Sequence, residues 1–519
     1  MTASPQLSRR KFLTLMAGTG LASAAVAVTG CTPVKDTSGT GWLPNQYRNA
    51  AALPPQLKGR VPIDPQDPSI MRDDSKCILC GQCLEACEKV QSVYGFYELP
   101  TADQFICVHC GQCALWCPTG SIRERDQVAE VMAALDDPAL TVIAQPSPAT
   151  RVGIGEEFAL PAGSWVEGQL ATSIKEAGFD YALDINFSAD LTIMEEASEL
   201  VERITTGGVL PQFTSCCPAW VKFVEYYYPD LLEHVSSTRS PIGMQGPVVK
   251  TYFAEKNGLD PHKIFNVTLT PCVAKKFEIS RSELHGAADY YGDDTIKDND
   301  VILCAREYAN LLRKKGLDNF ADMKESPFDP LMGVGSGAGL IFGNTGGVME
   351  AAVRSAYYFV TGNEPPADLL DLQAVRGLEG IKRATVNIPG AGDIKVVVAH
   401  GLGNARKLCE EVRAGKADFH FLEVMACPGG CISGGGQPRT SVPPQDWVRQ
   451  ARIDSMYAKD ASYQLRNSHD NPEIQALYKE FLGEPLGHRA HQLLHTTHHS
   501  RAEHLIPKKV DENGQLLEG

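Results

Sequence analysis

Eight cysteines fall into two copies of one pattern. Cys77-x-x-Cys80-x-x-Cys83-x-x-x-Cys87 is followed by Cys107-x-x-Cys110-x-x-Cys113-x-x-x-Cys117, the second copy closed by Pro118 and the first by Glu88. Three thiolates on a tight loop reach three irons of one cubane. The fourth, expected to open a helix, reaches the neighbouring cubane. The spacing therefore predicts two 4Fe–4S clusters with exchanged fourth ligands: Cys77, Cys80, Cys83 and Cys117 for one, Cys107, Cys110, Cys113 and Cys87 for the other. Gly81 and Gly111 sit inside the loops, where backbone must come close to sulfide. Disulfides or structural zinc compete for cysteine, but neither demands this repeat twice. His109 lies between two ligands and reads as a neighbour, because each cluster already has four thiolates. Two clusters in one small unit make a wire for electrons, and a wire needs something at its inner end.

Seven more cysteines lie beyond residue 128: Cys216, Cys217, Cys272, Cys304, Cys409, Cys427 and Cys431. Three stretches carry most of them. They are Thr214-Ser215-Cys216-Cys217-Pro218-Ala219-Trp220, Thr270-Pro271-Cys272-Val273-Ala274-Lys275-Lys276-Phe277-Glu278, and residues 423–437 around Cys427-Pro428-Gly429-Gly430-Cys431. The elements that must position them follow from their flanks. Residues 265–269 and 419–422 are strand-like runs ahead of Cys272 and Cys427, and Pro218 suits the first position of a helix over 218–228. Strand-end cysteines meeting at helix starts make a buried site at the carboxyl edge of a parallel sheet, where free N–H groups favour an anionic group. Residues 190–203 read as a helix, with Glu196, Glu199 and Arg203 on one face. A solvated salt-bridge stripe is the plain interpretation of that face. Cys304 and Cys409 have no motif around them and read as core thiols.

Residues 66–128 resemble the two-cluster bacterial ferredoxins, and the three later stretches resemble the signature motifs of the iron-only (FeFe) hydrogenases. The likeness covers residues 66 to about 447. It implies an α/β fold: an N-terminal α+β ferredoxin-like domain, a two-lobed α/β catalytic domain over 139–447, and a helical C-terminal wrap over 448–519. It also implies the reaction H2 ⇌ 2H+ + 2e−, with protons and H2 as substrates. The cofactor implied is an H-cluster, a 4Fe–4S cubane joined to a two-iron subsite that carries CO, cyanide and an azadithiolate. By the same resemblance Cys217, Cys272, Cys427 and Cys431 are the cubane ligands, with Cys431 bridging to the two irons. Cys216 stays unligated and exchanges a proton, Lys275 and Ser147 support the cyanides, and Met425 packs beside the two-iron site. The implied proton relay runs Cys216, Glu196, Ser236, Glu199 and solvent, with Glu278 a further charge near it. One departure stands out: the family usually carries Met before the proline of the second motif, where this chain has Thr270. A polar, β-branched residue there is expected to change packing and hydrogen bonding beside the two-iron subsite, tuning potential or oxygen tolerance. Sensing and non-catalytic relatives are the alternative. Non-catalytic relatives tend to lose the bridging or the proton-transfer cysteine, and both Cys431 and Cys216 are present.

The termini add an address and a wrap. Ser8-Arg9-Arg10-Lys11-Phe12-Leu13 precedes a small, apolar run to Gly30, which resembles a twin-arginine export signal. Val28-Thr29-Gly30-Cys31 resembles a lipoprotein box, so a lipid anchor at Cys31 stands beside a soluble product. Residues 31–65 read as a linker. The C-terminal segment from Leu477 to His495 resembles the smaller chain of the two-chain periplasmic hydrogenases, here fused to the larger one. His488, His491 and His495 share a helical face within a set completed by His498, His499 and His504. A metal site is one reading of them, and packing on the larger domain the better one. The 519 residues carry a net charge of −15, or −18 without residues 1–30, which argues against nucleic acid. That charge suits a basic carrier such as a multihaem c-type cytochrome, with ferredoxin as the alternative. An extracytoplasmic enzyme that takes up H2, matured by dedicated enzymes and exported already folded, is the expectation.

Overall fold

The computed structural model describes residues 59–98, 101 and 105–506. The export-signal, lipid-box and most of the linker readings fall on residues outside that set. Near the N-terminus, strand β1 (Ile70–Arg72) pairs antiparallel with β2 (Ile122–Glu124). Between them lie two short helices, α1 (Gln82–Glu85) and α2 (Gln112–Leu115). Each starts after a glycine in the left-handed region, Gly81 at φ 76° and Gly111 at φ 69°. Each helix therefore opens ahead of the third cysteine of its quartet rather than at the fourth. Cys87 lies in the helical turn that continues α1, and Cys117 follows the end of α2. Residues 59–65 pack against this unit: Val61 and Ile63 are buried, and the Val61 N–H donates to Cys83 Sγ at 3.3 Å.

The remainder is built on two four-stranded sheets. The first has the order β4-β3-β6-β7, from Tyr181–Ala182, Thr141–Pro146, Ile264–Thr270 and Val301–Cys304, all parallel. The second has the order β5-β10-β9-β8, from Gln212–Phe213, Phe421–Met425, Gly392–His400 and Ile381–Ile388. In it β8 alone runs antiparallel. The site expected at one sheet edge is thus shared by two sheets.

Helix α3 (Ile185–Thr206) lies between their packing layers. It begins earlier than the expected residue 190 because the Asp184 side chain caps the Asn186 N–H, and it ends at Gly207 in the left-handed region. Phe187 and Leu191 enter one apolar cluster, while Ile193, Ala197 and Leu200 enter another. A helix apolar on two faces belongs inside a fold, so its carboxylates are not a solvated stripe. Helices α4 (Pro218–Tyr227), α5 (Ala274–Glu278) and α6 (Gly347–Thr361) follow in chain order. The C-terminal segment contributes α7 (Asp446–Ser462) and α8 (His488–Leu494), whose Leu493 and Leu494 are fully buried. Among the described residues no helix is long and apolar enough to cross a membrane.

Candidate functional site

A cavity of about 720 Å3 lies where strands of both sheets end. Four chain segments arrive there with a chemically distinct residue just past each strand. β3 delivers Ser147, β6 delivers Thr270 and Cys272, β5 delivers Cys216 and Cys217, and β10 delivers Met425 and Cys427. Cys217 is the N-cap residue of α4 with Pro218 at its first position, and its Sγ accepts the Ala426 N–H at 3.4 Å. Cys431 is brought back to the cavity by a turn through Gly429 and Gly430. At Gly430, φ is 104°, and a Cβ would stand 2.6 Å from Thr345 N. Only glycine fits there.

The cavity thus gathers Ser147, Cys216, Cys217, Cys272, Lys275, Met425, Cys427 and Cys431 from the expected set. It is otherwise lined by apolar groups such as Ile185, Ile242 and Phe342. Burial pushes the Cys272 thiol up to about 12 and raises Cys217, Cys427 and Cys431 as well. Without a cation these sulfurs are neutral thiols, and none is in a disulfide. Four thiols crowded in a largely apolar pocket, with Lys275 the cation that favours their charged form, fit a cationic iron group, which would make them thiolates.

Lys275 reaches the cavity from α5. Its ammonium donates to Glu278 Oε2 at 2.8 Å and to the Cys216 carbonyl at 3.1 Å. Burial alone would lower its pKa, but Glu278 and Cys272 outweigh that and raise it. Glu278 also accepts from Ser240 Oγ at 3.0 Å, so it anchors Lys275. The hydrogen bonding expected of Thr270 is present: its hydroxyl accepts from Ser147 Oγ at 3.1 Å.

Two further cavities carry the paired quartets. One, of about 320 Å3, is lined by Cys77, Cys80, Cys83 and Cys117. The other, of about 470 Å3, is lined by Cys87, Cys107, Cys110 and Cys113. Each takes three thiols from one quartet and the fourth from the other. The second abuts the central site. A Cβ on Gly111 would lie 2.2 Å from Val273 Cγ2, beside Cys272, and Gln112 Nε2 donates to the Ser433 carbonyl at 2.9 Å. His109, as expected, has other partners. Its Nδ1 faces Asp67 at 3.1 Å, its Nε2 faces the buried Lys222 ammonium at 2.6 Å, and its ring stacks on Phe277.

On the other side of the cavity, Ser236 Oγ donates to Glu199 Oε2 at 2.6 Å, and Arg203 donates to Glu199 Oε1 at 2.6 Å. Ser236 is held there because its N–H donates to Phe213 O, at the end of β5. Glu196 is fully buried, no side chain bonds its carboxylate, and the Ser215 backbone amide is the polar group turned toward it. Burial first, and the charge of Glu199 second, lift its pKa to about 8. Glu196 in turn helps raise the Cys216 thiol, after burial itself. Two hydroxyls extend this group, Ser215 from the first cysteine stretch and Thr238 with no local sequence signal: Thr238 Oγ1 lies 2.8 Å from Ser236 Oγ and 3.2 Å from Ser215 Oγ. Cys304 and Cys409 are buried core thiols, as expected. The three C-terminal histidines do not converge on a metal: both ring nitrogens of His495 face protein groups, Glu195 and Ser237.

The family described as the C-terminal domain of the iron only hydrogenase large subunit matches residues 140–435, and iron hydrogenase small subunit matches 446–501. The chain is 42% identical over 453 residues to the NADP-reducing hydrogenase subunit HndD of Solidesulfovibrio fructosivorans, covering 83% of this chain and 75% of that one. It is 46% identical over 370 residues to the periplasmic Fe hydrogenase large subunit of Nitratidesulfovibrio vulgaris, covering 65% and 85%. A solved structure of a variant of FeFe-hydrogenase HydA1 from Chlamydomonas reinhardtii superposes with a TM-score of 0.64 at 40% identity, over 72% of this chain and 99% of that one.

Proposed function

The chain belongs to the iron-only hydrogenase family, and it carries on one polypeptide the C-terminal domain of the large subunit and the domain of the small one. On that premise we propose that it catalyses H2 ⇌ 2H+ + 2e− at the central cavity. The observation that carries this is the meeting of Cys216, Cys217, Cys272, Cys427, Cys431 and Lys275 in one buried space next to a second thiol-lined cavity. Cys217, Cys272, Cys427 and Cys431 would hold the cubane of the H-cluster, with Cys431 shared by the two-iron subsite. When bound, that group supplies the chemistry of H2 cleavage and takes up the electrons.

The chain's own residues do the rest. Lys275, locked by Glu278, would offer its ammonium to a cyanide of that group, and Ser147, which here donates to Thr270, would turn its hydroxyl to the other. Met425 and the apolar walls exclude water. The Cys216 thiol passes the proton to Glu196, and Ser236 and Glu199 lead it outward, with Arg203 holding Glu199 in place. Residues 59–128 act as a two-cluster ferredoxin-like wire, with Cys87, Cys107, Cys110 and Cys113 nearer the cubane and Cys77, Cys80, Cys83 and Cys117 outermost. The exposed Cys80 supports that order.

H2 uptake outside the cytoplasm, after twin-arginine export, is the physiological reading, with or without a lipid on Cys31. The acceptor proposed is a basic multihaem c-type cytochrome, drawn by the net charge of −18 that the chain carries without residues 1–30. Electron transfer to it should weaken as salt rises, and a salt-independent rate would exclude steering. A non-catalytic role is disfavoured by the presence of both Cys216 and Cys431 at the cavity. The decisive experiment is infrared spectroscopy with H2 uptake on protein matured in its native host. CO and cyanide bands with turnover are expected. Iron-loaded protein without either would overturn the assignment.

A further inference from the structure

Resting on that reading, we infer that His495, in the fused tail, is a positioning residue for the proton relay. One imidazole joins the two segments that carry the relay, each one residue away from a relay group. Nε2 lies 3.0 Å from Glu195 Oε2, directly before Glu196, and Nδ1 lies 2.9 Å from Ser237 Oγ, directly after Ser236. A neutral ring satisfies both by donating from Nε2 to the carboxylate and accepting the Ser237 hydroxyl at Nδ1.

The backbone fastens the same place. The Arg239 N–H donates to Leu494 O and the Thr496 N–H to Ser237 O, both at 2.8 Å, and Thr238 bridges His495 antiparallel. The Arg239 guanidinium holds the His495 carbonyl at 2.8 Å, and His498 Nε2 lies 2.9 Å from the Ser236 carbonyl.

The glutamate pair makes the division of labour visible. Glu195 is fully buried, and its hydrogen bonds go to the Tyr478 hydroxyl, the Leu486 N–H and His495, all three from the tail. Glu196, its neighbour, is equally buried, but no tail residue bonds its carboxylate, and the polar group turned toward it is the Ser215 backbone amide, beside Cys216. Successive residues on a helix point about 100° apart. The tail therefore fixes the rotation of α3 through Glu195 and leaves Glu196 free to face the cysteine side. A shift of about 1 Å at a reacting group can cost about 100-fold in rate. A brace that holds Ser236 at 2.6 Å from Glu199 is thus worth turnover without touching a proton itself.

The test uses full-length, natively matured protein carrying His495→Leu, His495→Gln or Ser237→Ala. Glutamine offers a donor and an acceptor on one planar group. The leucine variant should lose about tenfold in turnover with a larger H2O/D2O rate ratio, while the infrared bands and cluster EPR signals stay those of the parent. Glutamine should restore most of the rate, and Ser237→Ala should show a smaller loss of the same kind. A leucine variant with parental turnover and isotope ratio would overturn the inference. So would losses in all three variants that simply track lost cluster signals. If the leucine variant fails to fold, the glutamine and Ser237→Ala proteins decide by the same two readouts. Parent protein that shows neither bands nor turnover would instead refute the hydrogenase assignment.

Discussion

The two sides of the central cavity are built on different principles. Toward the N-terminal unit, contact at the cavity is made mainly by close packing: Gly111 presses on Val273 and the Gln112 side-chain amide meets the Ser433 carbonyl, with the His109–Lys222 pair farther out. Toward α3, contact is made by short polar bonds between side chains, with a gap at Glu196. Electrons cross packed matter between centres, whereas a proton must be handed from donor to acceptor. The first side therefore tolerates any well-packed filling, and the second depends on single atoms.

Substitutions can break this contrast in order of size. Cys216→Ala should reduce turnover by about 1,000-fold or more with infrared bands intact, because no other group replaces a positioned proton carrier. Retained turnover would move the relay elsewhere. Glu196→Gln should cost about 100-fold. It should also change the stability profile. With its pKa raised to about 8, folded protein holds a proton on Glu196 that unfolded chain has lost above pH 4.5. Its contribution to stability therefore falls as pH rises from about 4.5 to 8. Denaturation midpoints of parent and Glu196→Gln, compared at pH 5 and pH 8, should diverge in favour of the glutamine protein at the higher pH.

On the packed side, Gly111→Ala should destabilise by about 1–3 kcal/mol and slow reduction of the outer clusters, because its Cβ meets Val273. Stopped-flow absorbance and thermal unfolding read both effects. The smallest change is expected from Thr270→Met. It removes the acceptor of the Ser147 hydroxyl, so the cyanide bands should shift while turnover stays within about threefold. Unmoved bands would show that Ser147 is indifferent to Thr270.

The thiols were legible because cluster spacing is local: a loop of fixed length reaches a cubane or does not, whatever surrounds it. Helix α4 was legible for a similar reason, since Pro218 marks its first turn. The periodic run of helix α3 starts five residues later than the helix itself, because the Asp184 cap lies outside that run. Its carboxylate face is ambiguous in sequence. Glu196, Glu199 and Arg203 share the spacing of a solvated stripe, and only burial from both sides makes the two glutamates interior groups. Nothing near Asp67, Lys222, Thr238 or Tyr478 announces their contacts, since each partner comes from a remote segment.

What the amino-acid sequence determined by itself is the inventory of chemistry: which sulfurs go together, where strands hand over to helices, and that Thr270 breaks its motif. Tertiary structure alone decided which of two adjacent glutamates is tied down and which is free. It also decided that two sheets share the cavity, and that a histidine from the tail sits between the relay's two supports. Ligand spacing is set by the short reach of a loop. Burial, hydrogen-bond partners and charge environment are set by what the rest of the chain places nearby.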